Sequence, residues 1–90
     1  MAYTVYITSR AVKELSKVVA LQDKDRVKAT ILELGKDPRP YGCRKVQDVT
    51  PTLFRIRIGD YRVFYRVRDA EQAIVVATVR RRSEDTYRNL

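Results

Sequence analysis

Residues Leu53 to Arg68 read LFRIRIGDYRVFYRVR, two runs in which apolar and basic residues alternate on either side of Gly59-Asp60. A period of two is that of a half-buried strand, and a two-residue loop beginning with glycine fixes how two such strands pair. Counting outward from the loop sets Ile58 opposite Tyr61, Ile56 opposite Val63 and Phe54 opposite Tyr65, which gives one apolar face. The other face places Arg57 directly opposite Arg62, with Arg55 beside Phe64 and Leu53 beside Arg66. Like charges opposed across a strand pair are destabilising. A sheet that carries them without carboxylates among them either tolerates a cost at a solvated face or keeps an anion site.

The flanking sequence supplies the rest of one small domain. Tyr3 to Thr8 alternates as a first strand, with Tyr3, Val5 and Ile7 on one side. Ser9 offers an N-cap for a helix with an apolar stripe of Val12, Leu15 and Val19, and Asp23 offers one for a second helix with Val27, Ile31 and Leu34 inward. The short linker between them predicts an antiparallel helix pair lying on the sheet. Gly35, Pro38 and Pro40 end the second helix. The stretch from Asp37 to Pro51 is irregular, with a hint of extended chain at Lys45-Val46. It either leaves Arg44 and Lys45 in water or sets one of them against a ligand, and Lys45 is taken as the candidate.

After a polar turn over Asp69 to Gln72, the run AIVVATV from Ala73 to Val79 predicts a last strand. Pairing Arg68 with Ala73 and continuing regularly puts Ile74, Val76 and Thr78 on the core face, and Val75, Ala77, Val79 and Arg81 on the arginine face. Arg82, just past the strand end, stays eligible. Ser83 caps a final turn bearing Tyr87 and Arg88. The expected architecture is a β-α-α-β-β-β unit over residues 1–90, an α+β fold of two helices on a largely antiparallel sheet with a short C-terminal helix or turn.

Composition narrows the chemistry. Nineteen Lys+Arg against 11 Asp+Glu give a net charge of +8, which points to a polyanionic partner: nucleic acid first, then an anionic surface or an acidic protein. The chain has no histidine, which removes Ser-His-Asp triads, His-based acid/base pairs and most transition-metal sites. Cys43 is the single cysteine, so no intramolecular disulfide forms, and it reads as a small space-filling residue. No apolar run reaches membrane-spanning length and no signal-peptide order is present, which places the expected site of action in the cytoplasm with no membrane partner.

If the arginine face binds a phosphodiester, Arg55, Arg57, Arg62 and one of Arg81 or Arg82 surround it with charge-assisted, bidentate donors. Cleavage of RNA by its own 2′-hydroxyl needs a base for that proton, stabilisation of a phosphorane and a proton or cation for the leaving oxygen, and no metal or other cofactor. Tyr87 is either the proton-transfer group or an apolar lid on the sheet edge. Its phenol, with an ordinary pKa of about 10, becomes a better base beside guanidinium groups, which favour phenolate.

The N-terminal strand followed by AVKELSK, the proline-bounded loop ending in RKVQD, the hairpin LFRIRIGDYRVFY and the arginine cluster before a tyrosine together resemble the RelE/ParE superfamily of bacterial toxins. The resemblance covers essentially the whole chain and is most specific at IRIGDYRVFY. It implies the fold derived above, a cognate antitoxin encoded alongside, and operator DNA bound only through the toxin-antitoxin complex. Its RelE branch implies an mRNA interferase, an endoribonuclease that cleaves mRNA in the 30S A site of the ribosome and so inhibits translation. On that branch Arg55 and Arg57 stand where basic residues hold the message, Arg62 matches the arginine of the GDYR-like motif, Arg82 the arginine after the last strand, and Tyr87 the C-terminal tyrosine. Arg81 stands where many relatives carry histidine, and Arg81 and Arg82 are both retained as the arginine that works with Tyr87. The ParE branch implies a non-nucleolytic inhibitor of DNA gyrase instead.

Overall fold

The structure, a computed structural model, describes residues 2–82. Strand β1 (Thr4–Ile7) is followed by helix α1 (Ser9–Lys17), a 3₁₀ turn over Leu21–Asp23 and helix α2 (Lys24–Glu33). Strands β2 (Arg44–Lys45), β3 (Phe54–Ile58), β4 (Tyr61–Arg68) and β5 (Ala73–Arg81) complete it. They form one five-stranded sheet in the order β1-β5-β4-β3-β2. Every pairing is antiparallel except β1 with β5. The parallel pair follows from connectivity: β1 leaves the sheet into the helices, and the chain re-enters at the far edge before winding back.

The hairpin register agrees with the count from Gly59-Asp60, including Phe54 opposite Tyr65, Ile56 opposite Val63 and Arg57 opposite Arg62. Gly59 sits at φ +59°, a left-handed conformation that glycine adopts without a Cβ penalty. The core lies between one face of the sheet and the helices. Ala11, Leu15 and Val19 meet Val27, Ile31 and Leu34 over Ile56, Ile58, Tyr61, Val63, Tyr65, Ile74, Val76 and Val79. Full burial of each large aliphatic side chain in this set is worth about 1.5–3 kcal/mol.

Two helix expectations are corrected. The cap of α1 is Thr8, not Ser9, with the Thr8 hydroxyl accepting from the Ala11 amide at 3.2 Å. The inward stripe accordingly begins at Ala11, and Val12 is 53% exposed. Asp23 does occupy the N-cap position of α2, but its side chain does not cap. It accepts instead from the Tyr61 hydroxyl at 2.9 Å and pairs with Arg26 at 3.5 Å. Because the Tyr61 hydroxyl also accepts from the Ala20 amide at 3.0 Å, one buried tyrosine ties the interhelical turn to the hairpin.

The irregular segment after α2 is fastened at the opposite end of the sheet. The buried Tyr65 hydroxyl donates to the Pro38 carbonyl at 2.8 Å, and its ring stacks on Phe54 with centroids 5.8 Å apart. Arg39 lies over the Phe54 ring at 5.5 Å and reaches Asp69 at 2.8 Å. Asp69 also accepts from the Tyr3 hydroxyl at 2.6 Å. Arg39, and after it the Tyr3 hydroxyl, hold the Asp69 carboxyl below the usual carboxylate range.

Candidate anion-binding face of the sheet

The face turned away from the helices carries arginines from four strands. Arg57 is paired with Arg62, and Arg62 with Arg80, so β3, β4 and β5 contribute one row of three guanidinium groups. A second row runs from Arg44 to Arg55 to Phe64. The two rows are two residues apart along the strands, or about 6.5 Å. Arg57 is exposed, Arg55 and Arg80 are partly buried, and Arg62 is only 6% exposed. A buried guanidinium requires compensation, and Arg55, Arg62 and Arg80 all have interaction partners. Arg66, further along β4 on the same face, keeps a buried Nε that finds no hydrogen-bond acceptor among the described residues.

The presence of Arg80 in the first row corrects the regular count along β5. Tyr65 pairs with Val76 but Phe64 pairs with Thr78, so Ala77 is an extra residue on β5, a β-bulge. One extra residue turns every later side chain to the opposite face. Val79 therefore enters the core at 0% exposure, and Arg81 pairs with Tyr61 instead of joining the row. The sequence did contain a signal: a regular strand would turn Val79 away from the core, the less favourable choice for an apolar side chain. Lys45 is similarly displaced. Its partner is Phe54, which packs against the core, so Arg44 and not Lys45 shares the face with Arg55.

Arg81 and Arg82 lie together in an open cleft of about 680 Å³ at the hairpin end of the sheet. Its walls include Ala20, Gln22, Asp23, Asp60 and Tyr61. The Arg82 amide donates to the Asp60 carbonyl at 2.6 Å, which seats the end of β5 against the hairpin loop. The structure thus gathers Arg55, Arg57 and Arg62 with the additional residues Arg44 and Arg80, and sets Arg81 and Arg82 in the adjoining cleft. Ser83, Tyr87 and Arg88 lie outside the described residues. Chemically, the face is a dense set of planar, charged donors suited to phosphate oxygens. Among the described residues no group of three or more His, Cys, Asp or Glu side chains is placed to hold a metal ion, and no helix is long and apolar enough to cross a membrane.

Two helices packed on a five-stranded, mostly antiparallel sheet are the fold of solved RelE toxins. The profile for the ParE toxin of type II toxin-antitoxin systems (parDE) matches residues 5–86, and the chain belongs to that family. Solved structures agree with the superfamily and fold read from the sequence. A chain of the archaeal RelE-RelB complex from Pyrococcus horikoshii is 27% identical, with a TM-score of 0.78 over 93% of this chain and 99% of its own. A chain of the Mycobacterium tuberculosis toxin-antitoxin complex RelBE2 is 25% identical, with a TM-score of 0.80 over 91% and 100%. The E. coli toxin RelE, in the free state and with two arginines changed to alanine, is 26% identical, with a TM-score of 0.73 over 90% and 84%. No curated protein matches the chain.

Proposed function

We propose that this toxin is a ribosome-dependent endoribonuclease that cleaves mRNA in the A site and inhibits translation. The observation that carries the reading is the row Arg57-Arg62-Arg80, three guanidinium groups aligned across three strands. Such a row supplies fixed positive charge where a phosphorane gains negative charge, the electrostatic contribution that phosphoryl chemistry most needs. Attack of the 2′-hydroxyl oxygen on phosphorus breaks the bond to the 5′-oxygen and leaves a 2′,3′-cyclic phosphate. One proton must leave the 2′-hydroxyl and one must reach the 5′-oxygen. Arginines do neither at neutral pH. In this reading Tyr87 takes the 2′-hydroxyl proton, solvent water gives one to the departing 5′-oxygen, and Arg82 or Arg81 stands beside Tyr87, as the superfamily resemblance implies, while Arg44 and Arg55 hold the neighbouring backbone. The reaction uses no metal.

The partner proposed alongside is a cognate antitoxin, with operator DNA reached only through the complex. Support comes from charge and from the neighbours, since those from P. horikoshii and M. tuberculosis were solved as toxin-antitoxin complexes. An acidic amphipathic segment lying over the arginine face would neutralise it and exclude message together. A second reading, inhibition of DNA gyrase without nucleolysis, is favoured by the ParE family match. The order of arrest after induction separates them: protein synthesis failing before DNA replication supports the nuclease, and the reverse order supports the gyrase inhibitor.

A further inference from the structure

The bulge that brings Arg80 into the row is held by residues that lie outside it. Strand β1 covers the edge of β5 only as far as Val76, the partner of Ile7. Beyond that point α1 takes over. The Thr8 hydroxyl donates to the Ala77 carbonyl at 3.0 Å, so the extra residue has an acceptor satisfied from the helix cap. Glu14, two turns into the helix region, places Oε1 against the next two donors. The Thr78 hydroxyl donates to it at 2.6 Å and the Val79 amide at 2.9 Å. Thr78 is fully buried, and the Glu14 side chain is 19% exposed with its other oxygen 3.4 Å from Arg10. A carboxylate oxygen accepting both a hydroxyl and a backbone amide is a strong, charge-assisted arrangement. It exists only in the bulged register, because it needs Thr78 and Val79 turned as they are.

We infer that Glu14 is a positioning residue for the anion-binding row: by holding the Ala77 bulge it sets Arg80, instead of Val79, beside Arg62. Without the bulge, regular pairing places Val79 opposite Arg62, and the first row loses one of its three arginines while Arg81 moves alongside Asp60. Glu14 touches no substrate in this arrangement. It acts through the strand. Its consequence for RNA rests on the proposed nuclease reading, whereas its consequence for register does not.

The test uses the full chain and three variants: Glu14→Ala, which removes the acceptor; Glu14→Gln, which keeps an acceptor oxygen; and Thr78→Val, which removes one donor at constant shape. Cross-strand NMR contacts report the register, and a fluorescent 2′-O-methyl oligoribonucleotide, which cannot be cleaved, reports binding. The Arg62 to Arg80 contact is expected in the parent and in Glu14→Gln, with an Arg62 to Val79 contact appearing in Glu14→Ala and, in part, in Thr78→Val. Affinity for the oligonucleotide is expected to fall about tenfold in Glu14→Ala, with the slope of log K against log salt shrinking by about 0.7, one phosphate contact on a single strand. In an Arg80→Ala background Glu14→Ala should produce no further loss, since coupled residues fail to add. Retention of the Arg62 to Arg80 contact in both Glu14→Ala and Thr78→Val overturns the inference. So does an additive loss in the Arg80→Ala background. A parent protein that shows no affinity for the oligonucleotide counts against the nuclease reading, and the register contacts then decide the role of Glu14. If Glu14→Ala does not fold, the comparison of Thr78→Val with Glu14→Gln decides it.

Discussion

Arg62 on β4 and Arg80 on β5 are direct cross-strand partners, and Arg57 stands on the other side of Arg62. In the proposed nuclease reading this row supplies the fixed positive charge that meets the phosphorane. Arg80→Ala is therefore expected to reduce kcat/KM for message cleavage about 10- to 100-fold, or about 1.4–2.7 kcal/mol of transition-state stabilisation. Arg81→Ala, on the cleft side of the strand, should cost less. Single-turnover cleavage on programmed ribosomes compares the two, and the reverse order would return Arg81 to the row.

In the proposed chemistry Tyr87 carries the proton transfer, and Arg82 or Arg81 stands beside it as a fixed positive charge. Tyr87→Phe and Arg82→Ala should each abolish growth inhibition while leaving folding and antitoxin binding intact. General acid/base groups contribute about 10²–10⁴-fold, so residual cleavage should fall within that range of the parent. Expression toxicity read beside antitoxin pull-down checks it. Intact translation arrest in both variants would remove these residues from the catalytic set.

Tyr61 is 4% exposed, and its hydroxyl bridges Asp23 and the Ala20 amide. Tyr61→Phe removes two part-buried hydrogen bonds at the base of the cleft, leaving Asp23 its pair with Arg26. A loss of about 1–2 kcal/mol in unfolding free energy is expected, the net worth of such bonds. Urea unfolding measures it. Because Arg81 and Arg82 line the same cleft, weakened cleavage should accompany the loss.

Acid should loosen the attachment of the 37–43 segment. The Asp69 carboxyl is held below its ordinary value by Arg39 and the Tyr3 hydroxyl. A carboxyl depressed in the folded state stabilises the fold above its unfolded pKa, about 3.9, and that contribution is lost as pH falls through the folded value. At pH 7 Asp69→Asn should lower the urea midpoint relative to the parent, and the gap should close below about pH 3.9. The Tyr65 phenol is shifted the other way, upward, first by burial. It should remain protonated at alkaline pH where exposed tyrosines ionise, and the stability linked to its protonation falls as pH rises from the unfolded value of about 10 through the raised folded value, which phenolate difference spectroscopy would follow.

The hairpin was fully legible in the sequence because a two-residue loop leaves no freedom in register: Ile58 opposite Tyr61 dictates every later pair. The inward residues of α2 were legible for a similar reason, since Val27, Ile31 and Leu34 admit one face. What escaped was decided by contacts distant in sequence. Ala11 is small enough to lie flat on the sheet, a fit that hydrophobicity alone does not reveal, so Val12 looked the better core residue. The Ala77 bulge depends on Thr8 and Glu14, more than sixty residues earlier. A run of three arginines, Arg80 to Arg82, gives no internal contrast by which to tell the row from the cleft. Arg44 was hidden inside a segment whose two-residue strand is too short to show alternation.

Primer extension on a defined message after induction of the toxin tests the proposed activity most directly, with a copy of that message lacking its start codon as the control. Discrete cuts inside translated codons, absent from the untranslated copy and lost with Arg80→Ala, are the predicted result. An intact translated message in cells whose DNA replication has stopped would contradict it and assign the chain to the gyrase-inhibiting branch.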